Sequence, residues 1–304
     1  MEYVLTTEGL CKSYRQCKAL NGLSMHVPKG AIYGVVGRNG AGKTTLIRLL
    51  CGLQEPTSGA YTLFGKKGTD KEIAKVRRRM GAVVETPAIY TNMSARENLK
   101  QQYRILGLPS FHGMDEILES VGLSEVANKK VRSFSLGMRQ RLGIAIALSG
   151  DPDFLVLDEP LNGVDPQGVV QIRELLVKLN KQKQVTILIS SHALEELSKV
   201  ASHYGILDKG TVVKEISSEE LEASCKKCMH VEVSDTRALA RVLDAKGYEY
   251  CIVSEYAAEV YGSLNVAELV HWLEGEECEL RKVTERDESL ESYYLGLIGG
   301  GEHA

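Results

Sequence analysis

The sequence contains no apolar run that approaches the roughly 20 residues needed to span a bilayer. The longest candidate, GIAIAL at 143–148, is far too short. The amino-terminal segment MEYVLTTEGL lacks the basic region and the apolar stretch of a secretory signal. These absences predict a cytoplasmic protein without a membrane span of its own.

Excess charge of either sign is also lacking, since 37 Lys and Arg stand against 40 Asp and Glu, a net charge of −3. This balance gives no global electrostatic argument for a nucleic acid or an anionic lipid. One basic run, KVRRR at 75–79, is more typical of a solvated helix face than of a phosphate-binding track. We therefore expect no nucleic-acid partner.

An even, regularly spaced set of cysteines is lacking as well. The seven cysteines are odd in number and scattered, which favours free thiols in a reducing compartment over a disulfide framework. Cys225 and Cys228 form a CxxC with His230 close behind, but a structural zinc site needs four ligands and no second pair is present. Metal binding there is not favoured.

Strands and helices alternate over the first two thirds of the 304 residues. Several apolar runs are continuous, as in parallel strands covered on both faces, so the sequence predicts an α/β fold with a largely parallel sheet. Region 86–135 holds no convincing strand and is interpreted as a helical insertion, a subdomain of about 86–140. The predicted strands are 31–37, 81–85, 154–158, 185–190 and 203–208, and the predicted helices are 43–51, 95–106, 136–148, 167–181 and 193–199.

The pattern changes at about residue 217, which predicts one domain over 1–217 and a small α/β domain over 218–304. The second domain is expected to follow the order β-α-β-β-α-β of a split βαβ, ferredoxin-like unit, with a helix at 288–298 after it. It contains no acid–base or nucleophile cluster, so a binding or dimerisation role is its default interpretation.

The stretch GRNGAGKT, at 37–44, matches GxxxxGK followed by Ser or Thr, after an apolar strand and at a helix start. Glycines let such a loop curl so that consecutive amides point at phosphate oxygens. Lys43 is expected to reach the β- and γ-phosphates, and the Thr44 hydroxyl to bind Mg²⁺. The predicted nucleotide-binding residues of this loop are Gly37, Arg38, Asn39, Gly40, Ala41, Gly42, Lys43, Thr44 and Thr45.

The apolar strand FLVLDEP, at 154–160, ends in two acids. The strand would carry Asp158 to the edge of the sheet beside the phosphate loop, where its carboxylate can hold the metal. Glu159 is the candidate for polarising an attacking water. Paired acids at a strand end are common on protein surfaces, and the phosphate loop is what favours the functional interpretation here.

The stretch SFSLGMRQR, at 133–141, begins a helix with a hydroxyl, a glycine and free backbone amides, which suits an anion. With this stretch the sequence resembles the ATP-binding subunits of ABC transporters over residues 1–217. FSLGM corresponds to the family's LSGGQ signature, although Leu136 and Met138 replace the usual Gly and Gln. Three further residues match family elements in order: Tyr14 (adenine stacking), Asp165 (D-loop) and His192 (switch histidine).

The resemblance implies that the signature helix meets the γ-phosphate bound by a second subunit. Ser135 and Gly137 of one chain would then contact ATP on one side, while Lys43 and Mg²⁺ neutralise its phosphate charge on the other. The two chains would form a head-to-tail dimer, most simply a homodimer. It also implies a separately encoded membrane permease, which would place the chain peripherally on the inner face of the membrane. Tyr90, Met93 and Tyr103 are candidate apolar contacts for that permease, or else pack within the insertion.

Glu85 stands where most relatives carry the Q-loop glutamine. A glutamate can accept from a metal-bound water but cannot donate, and it adds negative charge near the γ-phosphate. A glutamate here is similar to the exporters that protect cells against lantibiotics and bacitracin-like peptides, so Glu85 is a candidate catalytic and metal-site residue. The other interpretation is that Glu85 merely ends a strand.

The leading hypothesis is therefore an ATPase that powers export of a peptide antibiotic through a partner permease. Two alternatives stay open at this point: a soluble ABC-type ATPase without a transport role, and a regulatory module that binds ATP with little turnover. The first usually carries two cassettes or long heptad arms, and this chain has one phosphate loop and no sustained heptads. The presence of both Glu159 and His192 disfavours the second.

Overall fold

A computed structural model describes residues 2–15, 17–224, 227–262, 264–276, 278–287 and 290–299. The chain divides into two compact units, Met1–Ser218 and Glu219–Ala304. Within the described ranges no helix has both the length and the apolar character needed to cross a membrane.

A four-stranded antiparallel sheet opens the first unit, with strand order β2-β1-β4-β5. The two long strands of this sheet were not predicted from the sequence, because irregular pairing breaks the alternation of apolar and polar residues. The register between β1 and β2 shifts between Thr7 and Leu10, where Gly9 adopts a positive φ of 55°. The strands are β1 (Tyr3–Tyr14), β2 (Cys17–Pro28), β4 (Ser58–Leu63) and β5 (Lys66–Lys67).

A six-stranded sheet forms the centre of the first unit, with strand order β10-β9-β3-β8-β7-β6. All pairs are parallel except β10 with β9, and the predicted parallel α/β sheet is confirmed. Its central strands are buried throughout, in agreement with their continuous apolar runs. The strands are β3 (Ile32–Val36), β6 (Met80–Val83), β7 (Phe154–Leu157), β8 (Thr186–Ser191), β9 (His203–Asp208) and β10 (Thr211–Ser217).

Helix α1 (Lys43–Leu50) is anchored in the core between these two sheets. Leu46, Ile47, Leu49 and Leu50 are fully buried, in one apolar cluster with residues of both sheets. The other helices of the unit outside the insertion are α2 (Ile73–Arg77), α6 (Pro166–Lys183) and α7 (Leu194–Ser198). Burial of four large side chains stabilises α1 by several kcal/mol, at about 1.5–3 kcal/mol each. The start of α1 is therefore a rigid platform.

Region 86–135 contains helices and a single isolated bridge, Ser94 with Lys130, and its assignment as a helical insertion stays a prediction. Ser94 begins its first helix with a capping box in which Ser94 and Glu97 exchange hydrogen bonds. Tyr103 is only 4% exposed and packs within the insertion, so it is not available as a permease contact, whereas Tyr90 is exposed. The helices are α3 (Ala95–Ile105), α4 (Met114–Ser120), two 3₁₀ turns (Ser124–Val126 and Val131–Ser133) and then α5 (Leu136–Leu148).

Helix α8 (Ser218–Ser224) begins one residue before the second unit and continues into it. The unit contains a four-stranded antiparallel sheet with strand order β12-β13-β11-β14. Helices α9 and α10 pack against one apolar cluster with Val231, Val233, Ala258 and Val260. The order β-α-β-β-α-β is the predicted one, and the ferredoxin-like assignment stays a prediction. The elements are β11 (Lys227–Val233), α9 (Thr236–Lys246), β12 (Tyr250–Ser254), β13 (Ala257–Tyr261), α10 (Val266–Glu274), β14 (Leu280–Asp287) and α11 (Leu290–Gly299).

Candidate nucleotide-hydrolysis site

The loop between β3 and α1 has the tight course that its glycines predicted. A Cβ added to Gly37 would lie 2.7 Å from the Leu207 carbonyl oxygen, and one added to Gly42 would lie 2.7 Å from the Ala19 carbonyl oxygen. Gly42 also has a φ of 109°, a backbone conformation that favours glycine. No larger residue fits these two positions without moving neighbouring backbone.

Lys43 begins α1, and its side chain folds back over the loop. The ammonium donates to the Gly37 carbonyl at 2.5 Å and lies 3.3 Å from the Arg38 carbonyl. Lys43 is only 6% exposed. Thr44 and Thr45 follow in the first turn and are partly buried, Ala41 is buried, and Arg38, Asn39 and Gly40 are exposed. The loop thus presents exposed backbone around one buried cation.

Asp158 and Glu159 follow β7 at the carboxyl edge of the parallel sheet, as predicted. Asp158 is buried and accepts a hydrogen bond of 2.7 Å from the Ser190 hydroxyl. The backbone N–H of Glu159 donates to the same hydroxyl at 2.8 Å. Ser190 therefore fixes both acids. It lies in the SSH tripeptide but was not predicted from the sequence motifs.

The Glu159 carboxylate bridges two basic residues. Its Oε1 lies 3.1 Å from Lys43 Nζ, and its Oε2 lies 2.9 Å from His192 Nδ1. His192 follows β8, which lies between β3 and β7, so neighbouring strands deliver all three residues to one edge. Glu159 has a φ of 47°, a left-handed conformation that is uncommon for residues with a side chain and often occurs at functional sites.

Glu85 lies two residues beyond the end of β6, and its role in the site stays a prediction. Its φ is 58°, again left-handed, and its carboxylate forms an ion pair with Arg48 on α1. The loop that carries it is fixed to β7, because the Asp158 N–H donates to the Val83 carbonyl at 2.9 Å. No sequence motif indicated Arg48.

Tyr14 ends β1, and its hydroxyl hydrogen-bonds to the Gln54 side chain. The ring is 38% exposed, with the Lys12 ammonium 5.3 Å from its centroid. An exposed aromatic ring with a fixed hydroxyl can stack on a planar base.

The predicted signature residues and the D-loop aspartate lie side by side. Ser135 caps α5 by accepting from the Met138 N–H at 3.2 Å, and Asp165 caps α6 by accepting from the Gly168 N–H at 3.2 Å. A Cβ on Gly137 would lie 3.1 Å from Val164 and 3.7 Å from Asp165 Oδ1. A larger residue than Gly137 would crowd the Val164 side chain where the two helix starts approach each other.

Zinc binding by the CxxC segment receives no support from the part of the chain that the structure describes. Cys225 lies outside the described residues, and Cys228 is buried on β11. Among the described residues no group of three or more His, Cys, Asp or Glu is placed to hold a metal ion.

A cleft of about 560 Å³ separates the parallel sheet from the helical insertion. Its wall includes Val84 and Pro87, which flank Glu85, together with Gln102 and Leu106 of α3 and Gly143 of α5. The loop that carries Glu85 therefore forms one side of this cleft.

Comparisons with known proteins agree with this geometry. A family model described as "ABC transporter" matches residues 20–162. A second model, described as "AAA domain, putative AbiEii toxin, Type IV TA system", matches residues 128–198, which form only part of the first unit.

Among solved structures, cbiO1 from Clostridium perfringens, part of the ABC transporter complex cbiONQ, aligns with a TM-score of 0.66 at 27% identity. That alignment covers 74% of this chain and 92% of the other. The ADP conformation of an ABC transporter cassette aligns with a TM-score of 0.65 at 28% identity, covering 72% and 93%.

Two of three curated relatives align over nearly the whole chain. The bacitracin transport ATP-binding protein BcrA of Bacillus licheniformis is 40% identical over 304 residues, 99% of each chain. BcrA of Enterococcus faecalis is 38% identical over 99% of this chain and 98% of its own. The lantibiotic transport ATP-binding protein SrtF of Streptococcus pyogenes is 39% identical over 72% and 94%. This chain therefore belongs to the family of ABC transporter ATP-binding proteins, and it is an ATPase.

Proposed function

We propose that this ATPase powers the export of a peptide antibiotic through a separately encoded permease. The observation that carries the proposal is the 40% identity with BcrA over 99% of both chains, which includes the second unit. SrtF, named for lantibiotic transport, supports the same substrate class. A glutamate at the Q-loop position, here Glu85, is similar to this branch of exporters and supports the same substrate class.

ATP would bind with its phosphates on the loop from Gly37 to Thr45. The exposed loop backbone supplies N–H donors at a helix N-terminus, and Lys43 supplies the buried positive charge. Lys43 would exchange Glu159 for a phosphate oxygen, so the carboxylate becomes available when ATP binds. The Tyr14 ring would stack on the adenine.

Thr44, Asp158 and Glu85 together offer the oxygen donors that suit a magnesium ion. Mg²⁺ prefers oxygen ligands and usually combines one or two protein groups with phosphate oxygens and water. Thr44 supplies a hydroxyl, Asp158 supplies a buried carboxylate held by Ser190, and Glu85 could accept from a metal-bound water. When bound, the ion would neutralise charge on the β- and γ-phosphates.

Glu159 would act as the general base for the attacking water, and His192 would hold its carboxylate in place. The 2.9 Å contact between His192 Nδ1 and Glu159 Oε2 supports this division of roles. Both residues together favour real turnover over a regulatory module that only binds ATP.

A second copy of the chain would complete the site. Ser135, Gly137 and Asp165 lie together at the starts of α5 and α6, where amides and a hydroxyl could contact the γ-phosphate held by the partner's loop. ATP would hold two head-to-tail domains together, and hydrolysis would release them. A permease would dock in the cleft beside Glu85, with the chain on the inner face of the membrane.

Expression of the chain together with a candidate permease in a sensitive host tests the proposal. Resistance to bacitracin or to a lantibiotic should rise with the wild-type pair and not with a pair that carries Glu159→Gln. A pair that assembles in the membrane and hydrolyses ATP, yet changes resistance to neither class of peptide, would contradict the proposed substrate.

A further inference from the structure

Two basic side chains on α1 each hold an acid of the candidate site. Lys43 contacts Glu159, and Arg48 Nη2 donates to Glu85 Oε1. We propose that Arg48 is a positioning residue for Glu85: it fixes the carboxylate beside α1 and neutralises its charge next to the bound triphosphate. This inference rests on the proposed function, because it takes Glu85 to lie near the γ-phosphate and its metal.

The helix geometry places Arg48 on the appropriate side of α1. Thr44 and Arg48 are four residues apart, so their side chains share one face in consecutive turns. One turn advances about 5 Å along the axis. The Arg48 side chain therefore starts about one helical turn from the Thr44 side chain. An unneutralised negative charge on this face would repel ATP.

The backbone of Glu85 supports a specific role for this contact. Its φ of 58° is rare for a residue with a side chain, and such conformations cluster at functional sites. The Val83 carbonyl is fixed to β7 through the Asp158 N–H, so the loop begins from a rigid point. Arg48 itself belongs to a helix whose neighbouring residues are fully buried. Two rigid elements thus meet through one ion pair.

The same ion pair adds little to the stability of the fold. Arg48 is 35% exposed and Glu85 is 56% exposed, and exposed pairs contribute little to the free energy of unfolding. Removing the guanidinium should leave the melting temperature nearly unchanged. An effect on nucleotide binding can therefore be separated from an effect on folding.

The test measures binding of a fluorescent ATP analogue, mant-ATP, once in EDTA and once with Mg²⁺. Arg48→Ala should raise the Kd in EDTA about two- to fivefold and change the Kd with Mg²⁺ less, because the ion offsets the exposed carboxylate. Arg48→Lys keeps the charge and should resemble the wild type. In a Glu85→Gln background, Arg48→Ala should have no further effect. Arg241→Ala, which breaks the exposed pair with Glu276 in the second unit, is the matched control.

Three results would overturn the inference. If the Kd for mant-ATP in EDTA, divided by the Kd with Mg²⁺, were the same in the wild type and in Arg48→Ala, the ion pair would have no influence on the nucleotide. The same weakening in the Glu85→Gln background would mean that Arg48 acts on ATP directly. Weaker binding that accompanies a lower melting temperature would make Arg48 a structural residue. If the wild type itself failed to bind ATP, the proposed function would fail instead.

Discussion

Glu159→Gln tests the chemistry of the site with the least disturbance of its structure. Glutamine keeps the shape of the side chain and removes its charge and its basicity. Its amide oxygen can still accept from Lys43, which also keeps the Gly37 and Arg38 carbonyls as acceptors. The Ser190 hydroxyl holds the backbone N–H of residue 159 in either case.

These contacts set the expected magnitudes. Loss of one charge-assisted contact that is partly replaced by an amide contact should cost about 1 kcal/mol of unfolding free energy, a fall of about 2–4 °C in melting temperature. Loss of a general base should lower turnover by at least about 100-fold, equivalent to about 2.7 kcal/mol in the barrier. The large effect on turnover and the small effect on stability distinguish a catalytic role from a structural one.

Phosphate release under saturating ATP, together with ATP affinity, provides the assay. Binding should be retained while kcat falls. Glu72→Gln is a matched control, because Glu72 pairs with Lys66 and Lys75 at 3.4 and 3.3 Å outside the site. An unchanged kcat in Glu159→Gln would refute the assignment of Glu159 as the base.

Further predictions concern the phosphate loop, the tyrosine proposed to stack on adenine, and a buried cysteine. Lys43→Ala should abolish tight ATP binding in a fluorescence titration, and native affinity would show that this loop does not bind the phosphates. Tyr14→Ala should weaken ATP binding about 5- to 100-fold, as expected for a lost stacking contact. Tyr14→Phe loses only the hydrogen bond to Gln54, so its ATP affinity should stay close to that of the wild type. Equal affinities of the two variants would contradict stacking. Burial raises the pKa of Cys51 to about 11, so its thiol is the protonated, less reactive form at pH 8. Mass spectrometry should show that Cys51 is alkylated more slowly than the exposed Cys17. The alkylation rate of Cys51 should rise about tenfold per pH unit up to about pH 11. A rate that reaches a plateau below pH 9 would contradict the raised pKa.

The sequence was informative where chemistry is local in the chain. The loop from Gly37 to Thr44 and the acids after β7 could be predicted because short motifs fix both the turn and the functional groups. Their convergence followed from a general property of parallel sheets, whose carboxyl ends share one edge. His192 could be predicted from its place after the adjacent strand only together with the family resemblance.

The remaining features depend on contacts between distant parts of the chain. Strands β1 and β2 escaped prediction because bulges interrupt their alternation, and Tyr103 could not be told from a surface aromatic until the insertion was folded. The contact of Arg48 with Glu85 joins residues 37 positions apart and has no signature in either segment. Ser190 was present in a recognised tripeptide, but its bonds to both acids depend on the pairing of β7 with β8.

The central claim is that one ATP is bound between the phosphate loop of one copy and the start of α5 in another. Light scattering after size-exclusion chromatography of Glu159→Gln measures this directly. With ATP and Mg²⁺ the mass should be that of two chains, with ADP that of one, and Ser135→Arg should prevent the ATP-dependent pair. Two results would contradict the account. One is the mass of a single chain when ATP saturates the protein, and the other is a dimer that forms regardless of the nucleotide and of Ser135→Arg.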